Sequence, residues 1–279
     1  MRVGIYTSVT DESMTPSDLA VEIEGRGFES LFIPEHTHIP VTIDNVHPGW
    51  EEIPRDYRRT FDPFVALSFA AAVTTDLRIG TAVALLTQRD PITFAKETAT
   101  LDRASGGRLE LGIGAGWLRE EMLNHGTDPR TRTALQSERI QAVKRIWTEE
   151  QAEFHGEHVS FEPIHSWPKP AQDPHPPLWL GGWGPSTHDR VLAHADGWMA
   201  PTMLGPQELE KGIRELTALA DERGKTPVPV TSVILDPQPG DIQRHAALGV
   251  YRVLLGLLPV ASRDTTLRTL DRLAALLSA

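Results

Sequence analysis

Gly107-Arg108-Leu109-Glu110-Leu111-Gly112-Ile113-Gly114-Ala115-Gly116-Trp117-Leu118-Arg119-Glu120-Glu121 joins a short apolar run to three alternating glycines, and a charged, helix-prone segment follows at once. Such a run reads as a strand covered on both faces. Glycine at its end removes Cβ atoms, so the chain turns sharply and a ligand can approach bare backbone. A helix start beside that corner aims unpaired N–H groups at the ligand, which suits an anion. An ordinary tight turn has the same composition. The weight shifts because a second corner of this kind stands at Pro177-Leu178-Trp179-Leu180-Gly181-Gly182-Trp183-Gly184-Pro185. Two glycine-lined strand ends read as parts of one binding site.

Outward from these corners, apolar strand-like runs alternate with helical patterns along the chain. Strands are expected over residues 2–7, 29–34, 77–85, 108–114, 178–181, 197–200, 228–235 and 251–255. Helices are expected over residues 15–27, 62–75, 91–104, 134–149, 185–195, 206–223, 241–248 and 264–277. Thr15-Pro16 suits an N-cap and first helical position, and Gly27 a C′ residue. Strand–helix pairs in this number point to an α/β fold of the (β/α)8 TIM-barrel type rather than an open doubly wound sheet. Two departures from a bare barrel are expected. One is a long inserted loop over residues 35–60 after the second strand. The other is an excursion over residues 152–177 before the fifth, opening with a hairpin that turns at His155-Gly156-Glu157 and closing with a proline-dense, extended connector. No composition break separates two units, so residues 1–279 are expected to form one domain.

Composition narrows the function. A formal net charge of -11 supplies no basic field for nucleic acid. The absence of cysteine removes disulfides, thiolate zinc sites and a cysteine nucleophile. No apolar run has the length of a membrane span, and strand-like sequence begins at Arg2 with no room for a secretion signal, so a cytoplasmic protein is expected.

In a barrel of this type the site forms where strands hand over to loops at the C-terminal face. Those handovers carry Thr7-Ser8, Pro34-Glu35-His36-Thr37-His38, Ala82-Val83-Ala84-Leu85 with Gln88-Arg89-Asp90, Gly114-Ala115-Gly116-Trp117, Gly181-Gly182-Trp183-Gly184 and Met199-Ala200-Pro201-Thr202. Glycine, tryptophan and small residues dominate, which suits a flat, apolar ring system with a phosphate tail. His36 and His38 have a metal-ligand spacing, but no further His or Asp ligand stands at the later strand ends, so no metal is expected. His36, directly at the strand end, is the candidate to contact a ring or move a proton. Gly181-Gly182-Trp183-Gly184 before Pro185 is the phosphate candidate. Trp117, Trp183 and Trp198 are ring-stacking candidates, or simply core. Arg89 and Arg119 are candidate anion contacts. No Gly-x-Ser-x-Gly elbow is present, and Gly112-x-Gly114-x-Gly116 is not a dinucleotide fingerprint, its third glycine standing one residue early. A pocket built for ring and phosphate with few reactive side chains leaves the chemistry to a cofactor.

The chain resembles the luciferase-like monooxygenase superfamily, and more closely its branch of oxidoreductases using the deazaflavin coenzyme F420. The resemblance rests on Ser30-Leu31-Phe32-Ile33-Pro34-Glu35-His36-Thr37-His38-Ile39-Pro40, Gln88-Arg89-Asp90-Pro91, Leu101-Asp102-Arg103-Ala104-Ser105-Gly106-Gly107-Arg108, residues 112–121, Trp167-Pro168-Lys169-Pro170, residues 176–184 and Asp196-Gly197-Trp198. It implies a homodimeric TIM barrel holding a flavin or deazaflavin at its C-terminal mouth. It further implies that His36 contacts the ring and that Ala82-Val83 form a non-prolyl cis peptide behind it. Gly114, Ala115 and Trp117 would flank the ring, and Gly181 and Gly182 would meet the phosphate. Sugar-phosphate dehydrogenases of the superfamily carry a proton-donating glutamate near the position of Trp117. Tryptophan cannot play that part, so their activity is not carried over. Hydride transfer between F420 and a small organic substrate is the expected reaction. An FMN-dependent monooxygenase and a non-catalytic flavin-binding protein are the alternatives.

Overall fold

Strands whose two faces are both covered need apolar side chains throughout. Ser30–Ile33 (β2) and Leu109–Gly114 (β4) are covered in this way, with no exposed residue in either and with Ser30 and Glu110 as the polar exceptions. In the computed structural model, which describes residues 1–44 and 52–278, they join Arg2–Tyr6 (β1) and Arg78–Leu85 (β3) in one parallel sheet. An antiparallel hairpin of Ala152–His155 (β5) and Ser160–Ile164 (β6) stands apart from it. The sheet continues through Leu178–Gly181 (β7), Gly197–Met199 (β8), Val230–Ile234 (β9) and Arg252–Gly256 (β10). It closes on itself in the order β1-β10-β9-β8-β7-β4-β3-β2, the expected barrel of eight parallel strands.

The helices are Pro16–Glu24 (α1), Pro63–Val73 (α2), Pro91–Ala104 (α3), Arg119–Asn124 (α4), Arg132–Thr148 (α5), Pro185–His194 (α6), Pro206–Glu222 (α7), Asp241–Ala247 (α8) and Arg263–Ala275 (α9). Proline at the first position and a capping side chain fix several starts. Thr15 accepts from the Asp18 amide, Asp62 from the Phe64 and Val65 amides, and Asp90 from the Thr93 amide. Each such cap is worth about 1 kcal/mol. The first helix ends at Glu24 rather than Gly27, although Gly27 does take the left-handed conformation, φ 80°. The short α4 occupies the charged, helix-prone segment after the glycine corner, although no bounds were expected for a helix there. It has no side-chain cap, and Glu120 and Glu121 in its first turn are the local mark of its start.

One apolar cluster lies between strands and helices. A second fills the barrel interior with Phe32, Trp179, Met199, Val233 and Leu254. Beneath it, at the N-terminal ends of the strands, Arg252 is fully buried. Its guanidinium donates to both Glu29 oxygens at 2.9 Å and to both Glu110 oxygens at 2.7 and 2.8 Å. Arg78 and the Trp179 indole N–H also donate to Glu110. Burial works against a charged Glu110, but Arg252 and Arg78 outweigh it and hold the carboxyl below its usual value. This network is the floor of the barrel.

Of the long loop after β2, residues 45–51 lie outside the described set. Arg55–Arg58 form a 3-10 turn, and Thr10 bridges to Thr60, which returns the loop to the barrel mouth. The excursion before β7 begins with the expected hairpin, and its proline-dense part carries cis peptides at Trp167-Pro168 and Asp173-Pro174.

Candidate active site

At the C-terminal ends of the strands the barrel opens into a cavity of ≈ 710 Å³. His36, Ala82, Val83, Gly114, Ala115, Trp117, Gly181, Gly182 and Trp183 all line it. Gly184 does not. It is the N-cap of α6, at φ 90°, and its carbonyl accepts from the Thr187 and His188 amides behind the wall.

The Ala82-Val83 peptide is cis. Val83 explains two of the glycines. A Cβ on Gly114 would stand 2.4 Å from a Val83 methyl, and one on Gly181 would stand 3.1 Å from the other. Both residues are therefore small because the valine side chain occupies their space, not only because a ligand needs backbone access. Gly182, at φ 132°, is conformationally restricted as well, and a Cβ there would press on Thr187. Trp183 is half wall and half core. It stacks on Trp198 at 6.0 Å between ring centroids, in space that Gly212 of α7 leaves open.

His36 is oriented by a partner that sequence reasoning did not single out. Its Nδ1 lies 2.9 Å from Oε2 of Glu121, which is fully buried on α4. The other carboxylate oxygen accepts from the Thr37 amide at 3.0 Å. Burial disfavours the charged carboxyl, but the contacts with His36 and the Thr37 amide outweigh it and hold Glu121 below its usual value. A carboxylate there accepts from Nδ1–H, so Nε2 is the ring nitrogen left for a ligand. Trp117 meets the imidazole edge-on at 5.8 Å, and Tyr57 lies 5.4 Å away. Tyr57 is hydrogen-bonded to Tyr6, and burial followed by nearby Asp56 pushes its hydroxyl pKa upward. His38 turns away to Thr37 and Asn124.

The anion contacts differ from those expected. Arg89 is taken up by Glu35, Asp62 and Glu97. Two other arginines reach the cavity beside Gly181 and Gly182: Arg132 from the start of α5 and Arg190 from α6. Arg190 donates to Gln136 at 2.6 Å and to Thr187 at 3.3 Å, and Arg132 to the Pro129 carbonyl. Among the described residues neither has a carboxylate partner. Burial, and then the nearby Arg132, push the Arg190 pKa down. With the Ser186 and Thr187 side chains they make a cationic, hydroxyl-lined end to the cavity. Ser186 and Arg190 are one helical turn apart, and that spacing after the Gly181-Gly182 corner was the available signal.

Comparison with known proteins gives a consistent picture. The sequence profile described as luciferase-like monooxygenase matches residues 6–255. An uncharacterised protein of Mycobacterium tuberculosis is 40% identical over 100% of this chain and 99% of its own length. The oxygenase component of a flavin-dependent trigonelline monooxygenase from Acinetobacter baylyi is 32% identical over 54% of this chain and 42% of its own. An F420-dependent glucose-6-phosphate dehydrogenase of Kineococcus radiotolerans is 28% identical over 68% of this chain and 52% of its own. Among solved structures, a monooxygenase from Streptomyces bottropensis superposes with a TM-score of 0.81 at 19% identity, covering 99% of this chain and 98% of its own.

Proposed function

The chain belongs to the luciferase-like monooxygenase family and is an enzyme of that oxidoreductase class, and we propose that it holds the deazaflavin coenzyme F420 in the barrel mouth for hydride transfer with a small organic substrate. One observation carries the reading: the paired Arg132 and Arg190, without carboxylate partners, beside Gly181 and Gly182. Arginines that line a cavity without a carboxylate partner suit an anionic ligand, and these two would gain charge-assisted hydrogen bonds from a phosphate. The adjoining wall, where Val83 packs between Gly114 and Gly181, offers a smooth apolar face to a flat ring. When bound, the cofactor supplies the hydride donor or acceptor.

The chain's own residues supply the rest. Arg132 and Arg190 would bind the phosphate, the Ser186 hydroxyl would donate a hydrogen bond to it, and Thr187, donating to the Trp183 carbonyl, holds Arg190 in place. Val83 would lie against the ring, and Trp117 would flank it. Glu121 sets the tautomer and tilt of His36, whose Nε2 holds or gives up the proton that accompanies hydride transfer. The likeness to the trigonelline monooxygenase favours a second reading, in which FMN occupies the same ring and phosphate positions.

The α2 surface bears on assembly. Val65, Phe69 and Val73 point outward on a helix that is apolar all round, and such a face is normally covered. A second copy of the chain is the proposed cover, giving a particle of twice 30.8 kDa by light scattering.

The deciding experiment titrates the apoprotein with F420 and with FMN in parallel and follows fluorescence. Preferential binding of F420 at micromolar or lower concentration is expected. Preference for FMN would move the assignment to the second reading, and binding of neither would overturn both.

A further inference from the structure

The His36-x-His38 spacing is not completed into a metal site: among the described residues no group of His, Asp and Glu side chains is placed to hold an ion. Its second histidine belongs to a different construction. Glu121, Asn124 and His125 stand at i, i+3 and i+4, on one face of α4 and its C-terminal end. That face meets Thr37 and His38 behind the cavity wall. His36 lines the cavity, whereas Glu121, Thr37, His38, Asn124 and His125 do not. Glu121 is buried, and Thr37, Asn124 and His125 are exposed. The cluster therefore runs from the back of the His36 ring to the outer surface.

Its hydrogen bonds form a chain. Glu121 Oε2 lies 2.9 Å from His36 Nδ1, and the Thr37 hydroxyl reaches Oε1 of the same carboxyl at 3.4 Å. That hydroxyl also lies 2.7 Å from His125 Nε2 and 3.0 Å from His38 Nδ1. Asn124 Nδ2 donates to His38 Nε2 at 2.9 Å, so His38 carries its proton on Nδ1 and donates it to Thr37. The single hydroxyl proton is then left with two acceptors, Glu121 and His125. Burial, and then nearby His38, hold the His125 pKa below its ordinary value; Arg89 acts with them, and Glu121 and Glu35 oppose. The His125 imidazole is therefore neutral at pH 7 and open to a proton.

From this geometry we infer that His36 exchanges its proton with bulk water through the back of the ring, along Glu121, Thr37 and His125. When a substrate proton arrives at His36 Nε2, the Nδ1 proton moves to Glu121. A half-turn of the carboxyl brings that proton to Thr37 Oγ1, whose own proton passes to His125 Nε2 and then to water. One proton enters at the cavity and one leaves at the surface, with no electrons moved. Proton delivery to a substrate runs the chain in reverse and restores Nδ1–H. Ligands that fill the mouth exclude water from the front of His36, and this path stays open behind it. The inference rests on the proposed cofactor reading only for the reaction that supplies the proton.

The test measures how fast the His36 Nδ1 proton exchanges with water in the full chain without cofactor, at a pH where water in the open mouth keeps part of His36 doubly protonated. Inversion transfer from water gives the rate on 15N-histidine-labelled protein, and loss of the low-field N–H signal in His36→Gln assigns it. Thr37→Val should slow the exchange at least about tenfold, whereas Thr37→Ser, which keeps the hydroxyl, should stay within about twofold of the parent. His125→Asn should slow it by a similar factor, and added imidazole should restore the rate in that variant while leaving the parent unchanged. Thr37 and His125 are exposed, so neither change threatens the fold. An unmoved Nδ1–H signal in these variants would show the His36–Glu121 bond intact. An unchanged rate in Thr37→Val or His125→Asn, a Thr37→Ser rate as slow as that of Thr37→Val, or no rescue by imidazole would each overturn the inference. So would an N–H signal that is missing from the parent or displaced in the variants. Titration of F420 and FMN on the same samples separates the two readings. Relay behaviour in a chain that binds neither cofactor would keep the path and remove the reaction assigned to it. Cofactor binding with exchange unaltered by the variants would do the opposite.

Discussion

At the N-terminal end of the barrel Arg252 is fully buried and directs its donors onto Glu29 and Glu110. At the C-terminal end Arg132 and Arg190 line an open cavity with no carboxylate partner among the described residues. The side chain is the same at both ends of the barrel, yet the surroundings are opposite. The floor is complete: Glu110 also takes Arg78 and the Trp179 indole, and the guanidinium lies over the Phe32 and Trp179 rings. The mouth keeps charge in reserve. Arg108, at the N-terminal end of β4, also lacks a carboxylate but spends its donors on the Ala71, Leu77 and Ser105 carbonyls and the Thr74 hydroxyl, whereas the pair at the mouth lines an open cavity. This division accords with the general placement of stability at the lower face and chemistry at the upper one.

The sharpest way to break the comparison is Arg252→Met. Methionine preserves apolar bulk but leaves Glu110 and Glu29 without their main cation in a buried site. Removing one partner of a buried ion pair costs about 3–5 kcal/mol. Denaturant unfolding should show that loss, while the folded fraction keeps its affinity for cofactor. A loss of affinity with stability unchanged would mean that the floor and mouth are not the separate regions described here.

Arg190→Ala should do the reverse. Losing a charge-assisted contact to phosphate, worth about 1.5–3 kcal/mol, should raise the cofactor Kd about 10- to 100-fold. Stability should move by less than about 1 kcal/mol, because relief of repulsion from Arg132 offsets the lost bonds to Gln136 and Thr187. Unchanged affinity for both cofactors would remove the phosphate from this end of the cavity.

The two ends also differ in how far the sequence announced them. The barrel itself was legible because its signals are local. The α3 helix runs from Pro91 to Ala104 as expected, set by the Asp90 cap and the proline, and β7 runs from Leu178 to Gly181 as expected between Pro177 and two glycines. The glycine corners and His36 were legible as strand ends, and the cis Ala82-Val83 peptide came through resemblance alone. The arginine pair was not legible. Arg132 and Arg190 come from two helices separated by the hairpin, and nothing near either residue says that they meet. Arg89 looked better placed, directly after a strand, but Glu35, Asp62 and Glu97 converge on it from three other segments. Glu121 stood inside the first motif quoted, yet its partner is 85 residues away. Composition reveals which charges exist, whereas only the fold decides which of them are cancelled.

The smallest expected effect compares the two buried carboxylates, Glu110 in the floor and Glu121 in the mouth. Both are held below the usual glutamate value of 4.5 against the opposing pull of burial. A depressed folded-state pKa stabilises the protein above the unfolded value, and that stabilisation is lost as pH falls through the folded value. For Glu121→Gln the stability gap to the parent should therefore be constant near neutrality. It should shrink as pH drops below about 4.5 and close once Glu121 is protonated in the folded parent. Its plateau should be about 1.5 kcal/mol, the low end for a charged hydrogen bond, because glutamine still presents an oxygen to the Thr37 amide. Paired urea titrations of the two proteins across acid pH measure the gap directly, and the other depressed carboxyls cancel in the difference. A gap that stays constant through the acid range would mean that Glu121 acts by shape alone. His36 would then be positioned without a charged partner, and the mouth would have no counterpart to the carboxylate of the floor.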